Sequence, residues 1–566
     1  MELLKRITAL AMTLAIGAGA CFSGGLDLPS KAAGGGQDDW LHVEGNKICD
    51  VNGNEVWLTG CNWFGYNVGS QVFDGVWSQN MHSMIQQIAD HGFNLLRIPM
   101  SVQLLLQWKN GDPDPAKPKV NESCNPELTV EGVAGGTVLP SFDIWTKAVQ
   151  WCKEAGIKIM IDIHCAETAS AGHQINLWYT DKYSTEDWCT ALEWVADYYK
   201  DDDTILALDL KNEPHGTADV PDNMAKWDDS KDLNNWKYAA ETAGKRVLDI
   251  NPNLLVMVEG VEDYPKEGYD WTAPKIEWTT MTEFYDHTWW GACFRGVRKD
   301  PIDFGSAAYN KQLVYSPHDY GPLVWPQEWF KKEFTQETLM QDCWYDNWAF
   351  IHEENIAPLL IGEWGGFIDA KHDPDGSNTA WMTYLRDYMI EKHIHHTFWC
   401  FNENSGDTGG LVYDNFGKWD EDKYALVKPA LWQSESGKFI GLDHAIPLGV
   451  NGITVSEYYN GDTPVVTTTT TKKQETTTTT TTTTKIDQTT KFGDFNCDGK
   501  IAIADLVLMA RYVAEDSEME MPSDQGLRNA DCFYDEKVNS SDITMLARFL
   551  AHLIPESDLG APIQVD

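Results

Sequence analysis

Eight short apolar runs recur along residues 56–402: VWLTGCNWF (56–64), FNLLRIP (93–99), IKIMIDIH (157–164), ILALDLKNE (205–213), NLLVMVEG (253–260), QLVYSPHDY (312–320), APLLIGEWG (357–365) and HTFWCFN (396–402). Between them lie stretches of helical period, among them MHSMIQQIADHG, FDIWTKAVQWCKEAG, WCTALEWVADYYK, KYAAETAGKRVLDI and WMTYLRDYMIEKH, several of which stop at a Gly or Asn. Near-continuous apolar runs are strands buried on both faces, and each is followed by a crossover long enough for a helix. The pattern predicts an α/β fold, a (β/α)8 TIM barrel. A doubly wound open sheet is the alternative, but it calls for a Gly-rich phosphate loop after the first strand, where this chain has none.

In seven of the eight runs the polar or aromatic residues gather at the end: Trp63, Arg97, His164, Asn212 with Glu213, His318 with Tyr320, Glu363, and Trp399. The C-terminal face of a barrel is where its loops converge on one mouth, so residues there are candidates for chemistry. Glu213 and Glu363 end the fourth and seventh strands and are expected to face each other across that mouth. Two carboxyl groups flanking a sugar ring are what glycoside hydrolysis requires, one to protonate the leaving oxygen and one to attack the anomeric carbon, about 5–5.5 Å apart in retaining enzymes. Their environments have to differ, so that one pKa is held up while the other stays low. Arg97 is the cation expected to keep the nucleophile ionised, Tyr320 a donor to it, and Asn212 a partner for the sugar 2-hydroxyl.

Composition narrows the partners. A formal charge of −43 points away from nucleic acid and anionic membranes. The 25 Trp, 21 Tyr and 20 Phe exceed what a core needs, so part of this aromatic surface is expected to meet a ligand. Residues 1–21, MELLKRITALAMTLAIGAGAC, read as an export leader with small residues at its cleavage site. Lipid attachment at Cys21 is the rival, against which Ala18 is a poor match. No other segment approaches the roughly 20 apolar residues of a membrane span. Of the 12 cysteines, those in the large unit are widely spaced and several sit in apolar runs, which reads as buried thiols; no spacing suits zinc.

From Pro464 to Lys491 the chain is dominated by Thr, a solvated spacer with too few apolar residues to bury. Beyond it, DFNCDGKIAIAD puts Asp494, Asn496 and Asp498 at positions 1, 3 and 5 of a calcium loop, Gly499 at the turn, Lys500 at position 7 through its carbonyl, and Asp505 at position 12. A second copy, DCFYDEKVNSSD, keeps Asp531, Asp535, Lys537, Asn539 and Asp542, but Phe533 replaces a ligand and Glu536 the turn glycine. Each loop is followed by an apolar helical run, and Cys497 and Cys532 are candidates to pair across the repeats. The expected layout is a leader over 1–21, a catalytic unit over 40–445, a linker over 462–491 and a small all-α calcium-binding module over 492–557.

The ordered series GCNWFGYN, LLRIPM, DIH, LDLKNEPHG, NPNLLVMVEGVEDY, LVYSPHDYG, NIAPLLIGEWG and FWCFNENSGDTGGL, spanning about residues 40–440, resembles glycoside hydrolase family five, and within it the bacterial endo-β-1,4-glucanases of its first subfamily. The resemblance implies Glu213 as acid/base and Glu363 as nucleophile, no cofactor for catalysis, and a substrate shell of Arg97, His164, Asn212, His318, Tyr320 and Trp399. It also implies sugar-stacking platforms at Trp63, Trp178 and the pair Trp289 and Trp290. Mannan, xylan or mixed-linkage glucan are the alternative substrates for the same machinery, and a non-catalytic glycan binder is disfavoured because a binder needs no nucleophile. The two C-terminal loop-plus-helix repeats resemble a dockerin, which implies calcium and a cohesin partner on a scaffold protein. The stretch from Pro265 to Ala308 has no clear register against the family, which leaves its Trp platform open.

Overall fold

The computed structural model describes residues 38–111, 118–217, 220–273, 283–461, 491–497, 500–513, 522–533, 537–550 and 559. The expected leader, nearly all of the Thr-rich tract, and Asp498, Gly499, Asp535 and Glu536 lie outside the described residues. The chain divides into two compact units, Met1–Thr467 and Thr468–Asp566.

All eight apolar runs form strands of one sheet: β1 Thr59–Asn62, β2 Leu95–Ser101, β3 Lys158–Cys165, β4 Ile205–Asp209, β5 Leu255–Val258, β6 Leu313–Tyr315, β7 Leu360–Ile361 and β8 His395–Phe398. Their order is β6-β5-β4-β3-β2-β1-β8-β7, every pairing is parallel, and the isolated parallel bridges Tyr315–Leu359 and His318–Glu363 join the two outer strands. The sheet thus closes on itself as a (β/α)8 barrel. Every residue of β2 and β3 is buried, as expected for strands covered by side chains inside the barrel and by helices outside.

The helices of the outer ring include α1 Met81–Asp90, α2 Ser141–Glu154, α3 Thr185–Tyr198, α4 Trp236–Ile250 and α5 Ser377–Lys392. Helix α1 buries Met81, Met84, Ile85, Ile88 and Ala89, a stripe at helical spacing, and Asn80 caps it by accepting from the Ser83 N–H. Helix α3 starts in a reciprocal capping box between Ser184 and Asp187. Between β6 and β7 the helical segment Met340–Ala349 is wound as a π-helix, which carries Trp344 and Trp348 into the core. The span Pro265–Ala308, whose register the sequence left open, begins in a short antiparallel hairpin, Asp263–Pro265 against Tyr285–His287.

The C-terminal unit holds helices Ile503–Val513, Asp524–Ala530 and Ser540–Leu550 around Phe495, Met509, Ala530, Cys532, Leu546 and Leu559. Its two repeats are built alike. Buried Asp505 accepts the N–H groups of Asn496 (3.1 Å) and Ala502 (2.9 Å), and buried Asp542 those of Phe533 (2.8 Å) and Asn539 (2.8 Å). Cys497 and Cys532 are free thiols, so the candidate pairing across the repeats is not made.

Candidate active site

The strand ends converge around one buried cation. The guanidinium of Arg97, on β2, is fully buried and lies among four carboxylates: Glu363 (2.8 Å), Asp209 (2.9 Å), Asp162 (3.2 Å) and Glu259 (3.3 Å). It also donates to Asn62 Oδ1 and Asn212 Oδ1, each at 3.0 Å. Glu363 takes its second hydrogen bond from the Tyr320 hydroxyl, 2.5 Å from Oε2. Across the mouth Glu213 Oε1 faces His318 Nδ1 at 2.9 Å, and carboxylate oxygens of Glu213 and Glu363 lie within 4.8 Å of each other.

Tertiary packing fixes these side chains. Asp319, between His318 and Tyr320, is buried and accepts indole N–H bonds from Trp381 (2.9 Å) and Trp348 (3.2 Å), which pins the loop carrying both neighbours. Glu213 sits at φ 48, an uncommon backbone region for a side-chain-bearing residue, and its N–H donates to Glu259 Oε2 at 2.7 Å. Asn212 is anchored by its N–H to the Ile163 carbonyl (3.0 Å), and its Nδ2 is buried with no hydrogen-bond partner among the described residues, a donor left for a ligand. His164 is oriented by Asp162 (2.6 Å) and lies parallel to half-buried Trp399, with ring centres 5.7 Å apart. Trp290 is half-buried and stacks on His215, with centres 3.8 Å apart, two residues beyond Glu213.

Three of the four expected platforms belong to the core instead. Trp63 is fully buried, stacked on Phe73 at 3.9 Å, with its N–H bonded to the Asp74 carbonyl. Trp178 is 1% exposed, packs against Trp236 and donates to Thr185 Oγ1, while Trp289 is 7% exposed. An indole whose faces are packed and whose N–H is bonded has no surface to offer a sugar, so the platform expectation fails at Trp63 and Trp178, and at Trp289 burial alone withdraws the ring.

The electrostatics also differ from the simple expectation. Burial pushes Glu363 up to about 7, against the opposing charges of His318 and Arg97. Arg97 does not hold it low because its single charge is divided among four buried carboxylates. Burial acts the same way on Glu213, but the hydrogen bond and charge of His318 outweigh it and bring that carboxyl down to about 2. Burial works against a charged His318, yet Glu259, Glu363 and Glu213 around it raise its pKa well above the ordinary value. The two carboxyl groups are therefore driven apart, Glu363 upward and Glu213 downward, beside an imidazole whose pKa is raised.

Glu259, Asp162 and Asp209 are the site residues that the pattern of strand ends did not single out. Glu259 ends NLLVMVEG, the one run to which no polar ending was assigned. Asp162 and Asp209 sit inside apolar runs, two residues before His164 and Lys211, where a charged side chain on a fully buried strand is itself the signal.

Comparison with known proteins agrees with this geometry. Residues 49–405 match the family described as cellulase (glycosyl hydrolase family 5), and residues 492–551 the type I dockerin domain. Endoglucanase G of Acetivibrio thermocellus is 46% identical over 542 residues, covering 91% of this chain and 93% of that protein. Endoglucanase B of the same organism is 43% identical, covering 84% and 86%. Among solved structures, the hyperthermophilic endocellulase of Pyrococcus horikoshii superposes with a TM-score of 0.59 at 29% identity, covering 70% of this chain and all of that one. With its matching barrel, paired carboxylates and C-terminal module, the chain belongs to glycoside hydrolase family 5 as an endoglucanase bearing a type I dockerin.

Proposed function

We propose that this endoglucanase cleaves internal β-1,4-glucosidic bonds of cellulose with retention of configuration. The observation that carries the reading is the pair of carboxylates within 4.8 Å, one bonded to Arg97 and Tyr320 and the other to His318. A gap this short suits direct attack and leaves no room for the water that an inverting enzyme holds between its carboxyl groups.

In the first step Glu363 attacks the anomeric carbon as the bond to the leaving oxygen breaks, and Glu213 gives that oxygen a proton. In the second, Glu213 takes a proton from water, which attacks the same carbon and releases Glu363. The first step needs Glu363 ionised and a proton on Glu213. His318 keeps that proton one hydrogen bond away, 2.9 Å from Glu213 Oε1. Its transfer leaves a neutral imidazole beside Glu259. The free Nδ2 of Asn212 suits the sugar 2-hydroxyl, a bond that strengthens in the transition state. Trp399 and Trp290 remain as the stacking surfaces from the expected set. No cofactor enters these steps.

The chain is proposed to be exported through its leader and to dock by its C-terminal module to a cohesin on a scaffold protein. By sequence the first loop offers an all-oxygen set in Asp494, Asn496, Asp498, the Lys500 carbonyl and Asp505, and the burial of Asp494 and Asp505 suits a cation that offsets their charge. Calcium there would tie the loop to the helix that follows. In the second loop Asp531, Asp535, Lys537, Asn539 and Asp542 offer a similar set, one side chain short at Phe533.

A 2-fluoro-cellobioside inactivator should label Glu363, identified by mass spectrometry of the digested protein. Label on any other residue removes the nucleophile assignment. Parallel product analysis on mannan, xylan and mixed-linkage glucan tests the polymer.

A further inference from the structure

Glu259 is buried at 0% exposure at the end of β5, and no step above uses it. Its Oε2 accepts the Glu213 N–H at 2.7 Å, while its Oε1 stands 3.2 Å from His318 Nε2, the ring whose other nitrogen meets the Glu213 carboxyl. One carboxylate therefore meets the same residue by two routes, a hydrogen bond from its backbone N–H and an ion-pair contact, short of hydrogen-bond geometry, with the imidazole that faces its side chain. The surroundings are shaped to admit it. The Glu259 carbonyl accepts from Trp236 Nε1 at 2.7 Å, and Gly291, at φ +74, leaves a space where a Cβ would stand 2.3 Å from Glu259 Oε2.

Resting on the retaining mechanism above, we infer that Glu259 is a positioning residue for the acid/base side of the reaction, setting the aim of Glu213 through its N–H and through His318. The rival route runs through Arg97 to Glu363. Arg97 Nη2 has closer partners in Asp209 (2.9 Å), Asn212 (3.0 Å) and Asp162 (3.2 Å) than in Glu259 (3.3 Å), so its hold on Glu363 outlasts the loss of Glu259. The Glu213 N–H and His318 Nε2 would instead lose their carboxylate.

The two routes predict different substrate dependence, because a dinitrophenolate leaves without protonation and a sugar hydroxyl does not. The values of kcat/KM, which report glycosylation, are to be measured on cellotetraose and on 2,4-dinitrophenyl β-cellobioside for Glu259→Ala, Glu259→Gln and Glu213→Ala. For Glu259→Ala a loss on the order of 100-fold or more is expected on cellotetraose and under about 10-fold on the aryl glycoside. Glu259→Gln, whose amide oxygen still accepts the Glu213 N–H, should show the same split at smaller size, and it carries the test if the alanine variant does not fold. Equal losses on both substrates, or no loss on either, overturn the inference. If Glu213→Ala itself shows no split, the acid/base assignment fails instead.

Discussion

Glu363 is held in its working position at a thermodynamic cost. A carboxyl whose folded pKa rises from 4.5 to about 7 binds its proton more tightly folded than unfolded, so its penalty on stability is absent below about pH 4.5 and fully present above about pH 7. Glu363→Gln should therefore abolish hydrolysis yet raise the melting temperature at pH 8, with the gain shrinking to nothing near pH 4; thermal scans at the two pH values measure it. The same shift makes labelling of the wild-type enzyme by the inactivator slow as pH is lowered through about 7. At this scale the sequence was legible where a polar residue closes an apolar run, which singled out Glu213, Glu363, Arg97 and His318. It was opaque for Trp63 and Trp178, because an aromatic residue in a loop reads the same whether its face meets a sugar or Phe73.

At the scale of elements, apolar runs and helical periods marked the barrel because strands buried on both faces leave a continuous signal. Strand limits were less legible: APLLIGEWG contributes only Leu360–Ile361 as β7, since its polar end turns into the mouth. The lower rim was invisible in the sequence. There Lys158, at the start of β3 and 3% exposed, pairs with Asp39 (2.9 Å), Asp203 (3.2 Å) and Asp443 (3.2 Å), drawing both flanks of the catalytic unit to one point. His444 adds bonds to Asp39 (2.6 Å) and Asp50 (3.1 Å). No periodicity links positions so far apart in the chain. Lys158→Met leaves three carboxylates facing one another without their shared lysine and should cost about 3–5 kcal/mol of unfolding free energy, read from urea titrations of the catalytic unit. Activity of the folded fraction should persist, because Lys158 lies at the opposite end of its strand from His164.

Across the whole molecule, the barrel and the C-terminal unit have separate cores. Their responses to calcium should separate too: chelation is expected to lower the helical circular dichroism of the C-terminal unit and abolish cohesin capture, while hydrolysis of soluble substrate is unchanged. Joint loss of both would mean that the barrel also depends on the ion. Within the barrel, strength is unevenly spread around the ring. Strands β2 and β3 pair along Leu95–Ser101, whereas β6 and β7 meet through the bridges Tyr315–Leu359 and His318–Glu363. The second of these stitches is made by two of the reacting cluster's own residues. A fluctuation that parts the ring along this line disassembles the catalytic pair while every helix stays wound, so heat can silence the enzyme before it melts it.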